Sequence, residues 1–184
     1  MVVFGFSGSP RQNANTDRLV RAVLAGAATA GADARFLRPQ DMDMRPCRAC
    51  MWCRENRGCA IGDEFSLLWP ELYKADALVI GSPVYMWQMS AQTKMLVDRL
   101  YPVLNPDFSS RLAKKPKLAL CFTQGHPDGD FFKPYFEHTA QMLRFLGFEV
   151  LPPLSAAGTR VPDAIEAQPE LLEKARSVGR SLVE

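Results

Sequence analysis

Apolar residues fall into two patterns along this chain. Residues 2–6, 77–80 and 117–122 are short apolar runs without alternation, as in strands buried on both faces of a parallel sheet. Residues 34–37 and 148–151 complete a set of five strands. Between them the spacing turns helical. Leu19, Val20, Val23, Leu24 and Ala27 share one face of a helix that Gly31 ends. Phe65, Leu68, Trp69 and Leu72 form a second stripe, with Asp63 as its cap and Pro70 forcing a kink or a late start. Ser90 caps a helix that turns Met95, Leu96 and Leu100 inward, residues 132–146 make another that Gly147 ends, and Pro169 opens a last one. Strands alternating with helices predict an α/β fold with a five-stranded, doubly wound parallel sheet. In the order 2-1-3-4-5, strands one and three meet at a switch point, and ligands bind beyond the carboxyl ends of the strands.

The loops at that edge carry the polar and aromatic residues. Strand one runs into Ser7-Gly8-Ser9-Pro10-Arg11-Gln12-Asn13-Ala14-Asn15-Thr16 and then a helix, so free N–H groups and a helix dipole face any anion placed there. Ser7, Ser9, Asn15 and Thr16 offer hydrogen bonds and Arg11 a charge; Asn15 or Thr16 could equally cap the helix. There is no G-x-x-x-x-G-K-[ST] and no G-x-G-x-x-G, which argues against a Mg-nucleotide or a dinucleotide. A hydroxyl-rich loop after strand one is instead the flavodoxin way of holding the monophosphate of FMN. The loop after strand three, with Pro83, Val84, Tyr85, Met86 and Trp87, concentrates apolar side chains where a flat ligand, a domain seal or a subunit contact would use them. After strand four, Thr123, Gln124 and Gly125 lead to His126, for which a plain surface position is the first reading. Cys121, inside that strand, reads as a small buried hydrophobe.

The loop at 39–62 is long for a compact domain, and it holds Cys47, Cys50, Cys53 and Cys59, spaced x2, x2 and x5. Thiolates this dense repel one another unless a cation or a covalent bond holds them. Soft sulfur selects iron–sulfur clusters, zinc or Cu(I). The x2-x2 opening is that of bacterial ferredoxins, which makes a single [4Fe–4S] centre the first reading. A Zn(Cys)4 site is the main alternative, although zinc usually pairs two separated C-x-x-C knuckles. Two disulfides or four unrelated thiols rank below both.

Composition changes this picture little. At 184 residues, 47% apolar and 23% charged, the chain is expected to be one domain spanning 1–184. A net charge of +2 gives no argument for nucleic acid or a membrane surface. Residues 1–6 lack the features of a signal peptide and no run is long enough to span a bilayer, so the expected location is the cytoplasm.

Taken together, Gly8-Ser9-Pro10-Arg11 with Asn15-Thr16, the cysteine run, and Gly81-Ser82-Pro83-Val84-Tyr85 with Lys94 and Asp98-Arg99 resemble one group of proteins. This is the iron–sulfur flavoprotein branch of the flavodoxin-like, NAD(P)H-dependent FMN reductase superfamily. Only the cysteine run is specific to that branch, and Ala14 stands where a Gly is usual before Asn-Thr. The resemblance covers roughly the first 125 residues and continues more weakly to the end. It implies a three-layer α/β/α fold and noncovalent FMN. Ser9, Arg11, Asn15 and Thr16 would hold its phosphate end, and Pro83 to Trp87 with Thr123 to Gly125 would edge the isoalloxazine. It further implies a [4Fe–4S] cluster on the four cysteines, a homodimer or homotetramer, and ferredoxin as electron partner. The expected activity is an electron-transfer oxidoreductase relaying electrons between cluster and FMN. The alternative is an NAD(P)H-dependent FMN or quinone reductase whose cysteines bind zinc or nothing.

Overall fold

The computed structural model describes residues 1–112 and 114–184. Strand β1 (Val2–Ser7) leads to helix α1 (Asn15–Thr29) and strand β2 (Asp33–Leu37). Two four-residue helices follow the cysteine loop, α2 (Glu64–Leu67) and α3 (Trp69–Leu72). Next come β3 (Ala77–Tyr85), β4 (Gln88–Met89), α4 (Ala91–Asp98), β5 (Lys117–Thr123) and α5 (Lys133–Phe145). The chain ends with β6 (Glu149–Val150), β7 (Leu154–Ala156) and α6 (Pro169–Ser181).

The sheet runs β2-β1-β3-β5-β6, and every pairing along that path is parallel. The predicted order and flavodoxin-like class therefore hold, but the sheet has seven strands where five were expected. Pro152-Pro153 accounts for one of the extra strands. Proline cannot donate to a ladder, so the fifth strand breaks there into β6 and β7, both paired to β5. β3 accounts for the other, because it overshoots the predicted residue 80 and folds back as a hairpin with β4.

Each strand divides its side chains between two cores. Phe4, Phe6, Leu78, Ile80, Leu118 and Leu120 face α2, α3, α4 and α5, whereas Val3, Ala77, Val79, Ala119 and Cys121 face α1 and α6. The smaller side chains of the second core go with a tight crossing of α1 and α6. A Cβ on Gly26 would fall 1.9 Å from the Arg176 carbonyl oxygen, and one on Gly179 the same distance from that of Val23.

The helix starts differ in detail from the sequence reading. Asp63 and Ser90 cap as expected, accepting from the Ser66 and Thr93 N–H groups at 3.0 and 3.2 Å. At α1 the N-cap is Ala14, which makes no side-chain cap bond; Asn15 and Thr16 already lie in the first turn, so neither caps. The expected helix around Pro70 is split in two at Leu68, with the proline in the first turn of α3, where its missing N–H is not needed. No described helix is long and apolar enough to cross a membrane.

Candidate functional site

At the carboxyl edge of the sheet three loops close on one polar pocket. It is lined by Ser9, Arg11, Ala14, Asn15 and Thr16 from the first loop, Pro83, Val84 and Tyr85 from β3, and Thr123 and Gly125 after β5. Thr159 completes it. Nine of the thirteen residues expected to hold a ligand thus share one cavity.

The side chains divide between those aimed at the pocket and those that build it. Arg11 is exposed, and its guanidinium reaches only the Arg160 carbonyl oxygen, at 3.5 Å, so it is available to an anion. Ser9 Oγ accepts the Arg11 N–H at 3.1 Å and shapes the turn. The Thr16 and Thr123 hydroxyls lie 2.7 Å apart and join the first and third loops. Ser7 is fully buried and donates to Asp17 at 2.5 Å, beneath the loop and outside the pocket. Asp17 is itself fully buried, and Arg38 lies 3.3 Å from it while donating to the Ser9 carbonyl oxygen at 3.0 Å. Asn15 uses both ends of its carboxamide on the chain after β7, donating to Val161 at 2.6 Å and accepting from Ile165 at 2.9 Å. It therefore holds the wall that carries Thr159.

Gln124 is buried and its amide donates to the Asp128 carbonyl oxygen at 2.5 Å, so it organises the loop behind the pocket. His126 stacks on Phe131, with ring centroids 4.0 Å apart, and accepts from the Asp128 N–H at 3.2 Å. Met86 and Trp87 form the tip of the β3–β4 hairpin, 87% and 65% exposed, with φ of 45° and 67°. Both central residues of the turn are left-handed, which suits a two-residue hairpin but strains non-glycine residues by roughly 1–2 kcal/mol each. The hairpin thus presents two strained apolar side chains to solvent beside the pocket. Strain of this kind is typical of ligand clamps and switch regions.

Beneath these loops the packing leaves no slack. Ser90 Oγ donates to the Gly8 carbonyl oxygen at 2.6 Å, and the Ser90 N–H donates to Ser82 Oγ at 3.0 Å. A Cβ on Gly8 would fall 1.9 Å from the Thr93 hydroxyl, so the first loop rests directly on α4.

The other end of α4 borders the cysteines. Cys47, Cys50, Cys53 and Cys59 are free thiols lining one cavity with Asp98, Arg99, Tyr101 and Pro102. The loop winds tightly, with Ala49 and Met51 left-handed at φ of 51° and 60°. The Ala49 N–H donates to Cys47 Sγ at 3.4 Å, as a backbone solvating a thiolate would. The Trp52 N–H and then Arg48 lower the Cys50 thiol below its ordinary value. Cys53 is raised, first by burial and then by the neighbouring Cys59, Cys47 and Cys50 sulfurs. That mutual repulsion is what a shared cation would relieve. Among the described residues no three His, Cys, Asp or Glu side chains are drawn together tightly enough to hold a single metal ion. Cys121 stands apart: it is fully buried, and burial pushes its thiol up to about 12.

Two arginines hold this loop; Arg99 entered the sequence reading only as part of the family resemblance, and Arg111 not at all. Arg111 donates to the carbonyl oxygens of Cys53, Arg54 and Asn56 at 2.7, 2.7 and 2.8 Å, and to Asn105 Oδ1 at 3.0 Å. Arg99, 1% exposed, grips Asp63 with both terminal nitrogens at 2.6 and 3.0 Å. The Asp17–Arg38 pair and Thr159 were equally invisible, because their partners are distant in sequence.

The family model for NADPH-dependent FMN reductase matches residues 1–159. The chain belongs to that family. Within it, an iron–sulfur flavoprotein of Methanocaldococcus jannaschii is 41% identical over 103 residues, covering 56% of this chain and 53% of that protein. An iron–sulfur flavoprotein of Methanosarcina thermophila is 33% identical over 99 residues, 54% of this chain and 52% of that one. The chain spans about half the length of the curated relatives it matches. Among solved structures, an NAD(P)H:quinone oxidoreductase from Methanothermobacter marburgensis superimposes with a TM-score of 0.77 at 19% identity, covering 100% of this chain and 98% of that one. An FMN-dependent NADH-azoreductase from Bacillus anthracis, in complex with FMN, gives 0.75 at 13% identity with 100% of both chains covered. Both likenesses are of fold.

Proposed function

We propose that this protein is an iron–sulfur flavoprotein. FMN would occupy the polar pocket at the carboxyl edge of the sheet, and a [4Fe–4S] cluster would sit on Cys47, Cys50, Cys53 and Cys59. The observation that carries this reading is that the two cavities lie at opposite ends of one helix, α4. FMN exchanges one or two electrons and a cluster exchanges them singly, so together they supply electron transfer between a one-electron carrier and a two-electron partner.

In this reading Arg11 and the N–H groups at the start of α1 bind the phosphate, with Ser9 and Thr16 orienting it. Pro83, Val84 and Tyr85 line one side of the ring, and Thr123 and Gly125 the other. A local N–H donor reaches Cys47, and the Trp52 N–H and Arg48 favour the thiolate of Cys50. The exposed Met51, Trp52, Met86 and Trp87 favour a homodimer or homotetramer that covers both sites, with ferredoxin as the one-electron partner.

A second reading is supported by the family itself and by the exposed Trp87. In it the protein is an NAD(P)H-dependent FMN or quinone reductase, a nicotinamide packs near Trp87, and the cysteines hold zinc or nothing. Metal, acid-labile sulfide and flavin content of anaerobically purified protein separates the two. About four irons and four sulfides with one flavin per chain support the first. Flavin with zinc or no metal, together with fast bleaching by NADPH alone, supports the second.

A further inference from the structure

Arg99 lies just past α4 and is almost wholly buried. Its two terminal nitrogens are engaged: they reach Asp63 at 2.6 and 3.0 Å, the Arg45 carbonyl oxygen at 2.6 Å and Ser66 Oγ at 2.9 Å. Its Nε is buried with no hydrogen-bond partner. A buried donor left unpaired on a charged group is costly, so it asks for an acceptor. Arg99 and Cys59 both line the chamber of four thiols.

The electrostatics of the chamber point the same way. Its wall includes the end of α4, where carbonyl groups leave a partial negative charge, and the Asp98 carboxylate. Four thiolates add more negative charge than a cluster core cancels. Asp98 is paired with Lys94 at 2.6 Å, and the cations of the lining are Arg48 on the exposed side and Arg99 on the buried side.

We propose that Arg99 is a positioning residue for the cysteine-bound centre: held by Asp63, it gives its free Nε–H and its charge to the sulfur of Cys59 and raises the reduction potential of the cluster. This rests on the [4Fe–4S] reading above. Reduction adds one electron to an already anionic centre. A fixed cation in the wall of the same chamber, shielded from salt by its own burial, favours the reduced form. Asp63, with Arg45 and Ser66, occupies both terminal nitrogens, so Nε is the nitrogen left without a partner.

The test is an EPR-monitored redox titration of the holoprotein, with iron, sulfide and flavin counted in each preparation. Three forms are compared: wild type, Arg99→Lys, and the double variant Arg99→Gln/Asp63→Asn, which leaves no unpaired buried charge. The double variant should shift the reduction equilibrium at least tenfold toward the oxidised cluster, a fall of 59 mV for one electron. Its FMN potential should not move. Arg99→Lys, which keeps the charge, should recover most of the fall. Unchanged cluster potentials at full iron content overturn the proposal and leave the cluster reading standing. A fall in the FMN potential of the same size overturns it as well, since that marks a general disturbance. Wild-type protein without iron and sulfide removes the cluster reading, and the role of Arg99 with it. If the double variant does not fold, Arg99→Lys decides: retention of the wild-type potential within a few-fold in the equilibrium supports the charge, and a fall as large as tenfold refutes it.

Discussion

Ser90 and Arg99 terminate the same eight-residue helix and serve different sites. Ser90 caps the N-terminus of α4 and holds the Gly8 carbonyl oxygen under the anion pocket, while Arg99, just past the C-terminus, faces the cysteine chamber. At 1.5 Å per residue the helix between them is about 12 Å long. One short rigid element thus sets the separation of the two cavities, and changes at either end bear on one cavity at a time.

Arg11 is the single cation of the pocket lining with no carboxylate partner among the described residues. Arg11→Ala should weaken FMN binding by roughly ten- to a hundredfold, the worth of a charged hydrogen bond, and leave riboflavin binding unchanged. Fluorescence titration with both flavins measures this; equal losses for the two would place Arg11 away from the phosphate.

The cysteine chamber and the anion pocket share no lining residue. Cys50→Ser should therefore abolish bound iron and sulfide while flavin stays near one per chain. Iron, sulfide and flavin assays on the variant are sufficient, and joint loss of cluster and flavin would refute the separation of the sites.

Arg111 alone spans three carbonyl oxygens of the loop between Cys53 and Gly58. A lysine has one nitrogen and cannot reproduce that fork. Arg111→Lys should release iron several-fold faster on exposure to a chelator and lower stability by about 1.5–3 kcal/mol. Chelator kinetics followed by absorbance test it, and wild-type kinetics would show that the loop holds itself.

Asp63 sits well below the usual carboxylate range. Burial pushes it up, but the hydrogen bonds from Arg99, the Arg45 N–H and Ser66 outweigh that. A carboxylate depressed in the folded state contributes fully above its unfolded value, about 4, and that contribution is lost as pH falls below it toward the folded value. Denaturant unfolding should show this stability intact from neutral pH down to about 4 and declining further into acid. Asp63→Asn should flatten that acid slope and cost about 3–5 kcal/mol at pH 7, because Arg99 is left buried and unpaired. An unaltered acid slope in the variant would assign the decline to other groups.

Strand runs, helix stripes and caps are local, and the sequence was enough to read them. Apolar runs mark β1, β3 and β5, Asp63 and Ser90 cap as their residue type requires, and Pro169 opens α6. The cysteine spacing and the hydroxyl-rich loop pointed to two candidate sites, and each lines a cavity of its own. The misreadings were also local rules overridden by distant partners. Asn15 seemed free to cap or bind, yet it is bonded to residues 161 and 165, and Ser7 is bonded to Asp17 beneath the loop.

What only the tertiary structure decided is which side chains meet. The strand-five break follows from Pro152-Pro153, but its two halves are strands because both find β5. Arg99 meets Asp63 across 36 positions, and Arg111 meets Cys53 across 58. Periodicity cannot reveal such pairs, since an arginine on a helix end reads as a solvated charge until the fold buries it against a carboxylate distant in sequence. The sequence determined the elements and the chemical groups available. The packing of α4 between the two loops determined that those groups line two separate cavities, with a buried cation in the wall of one of them.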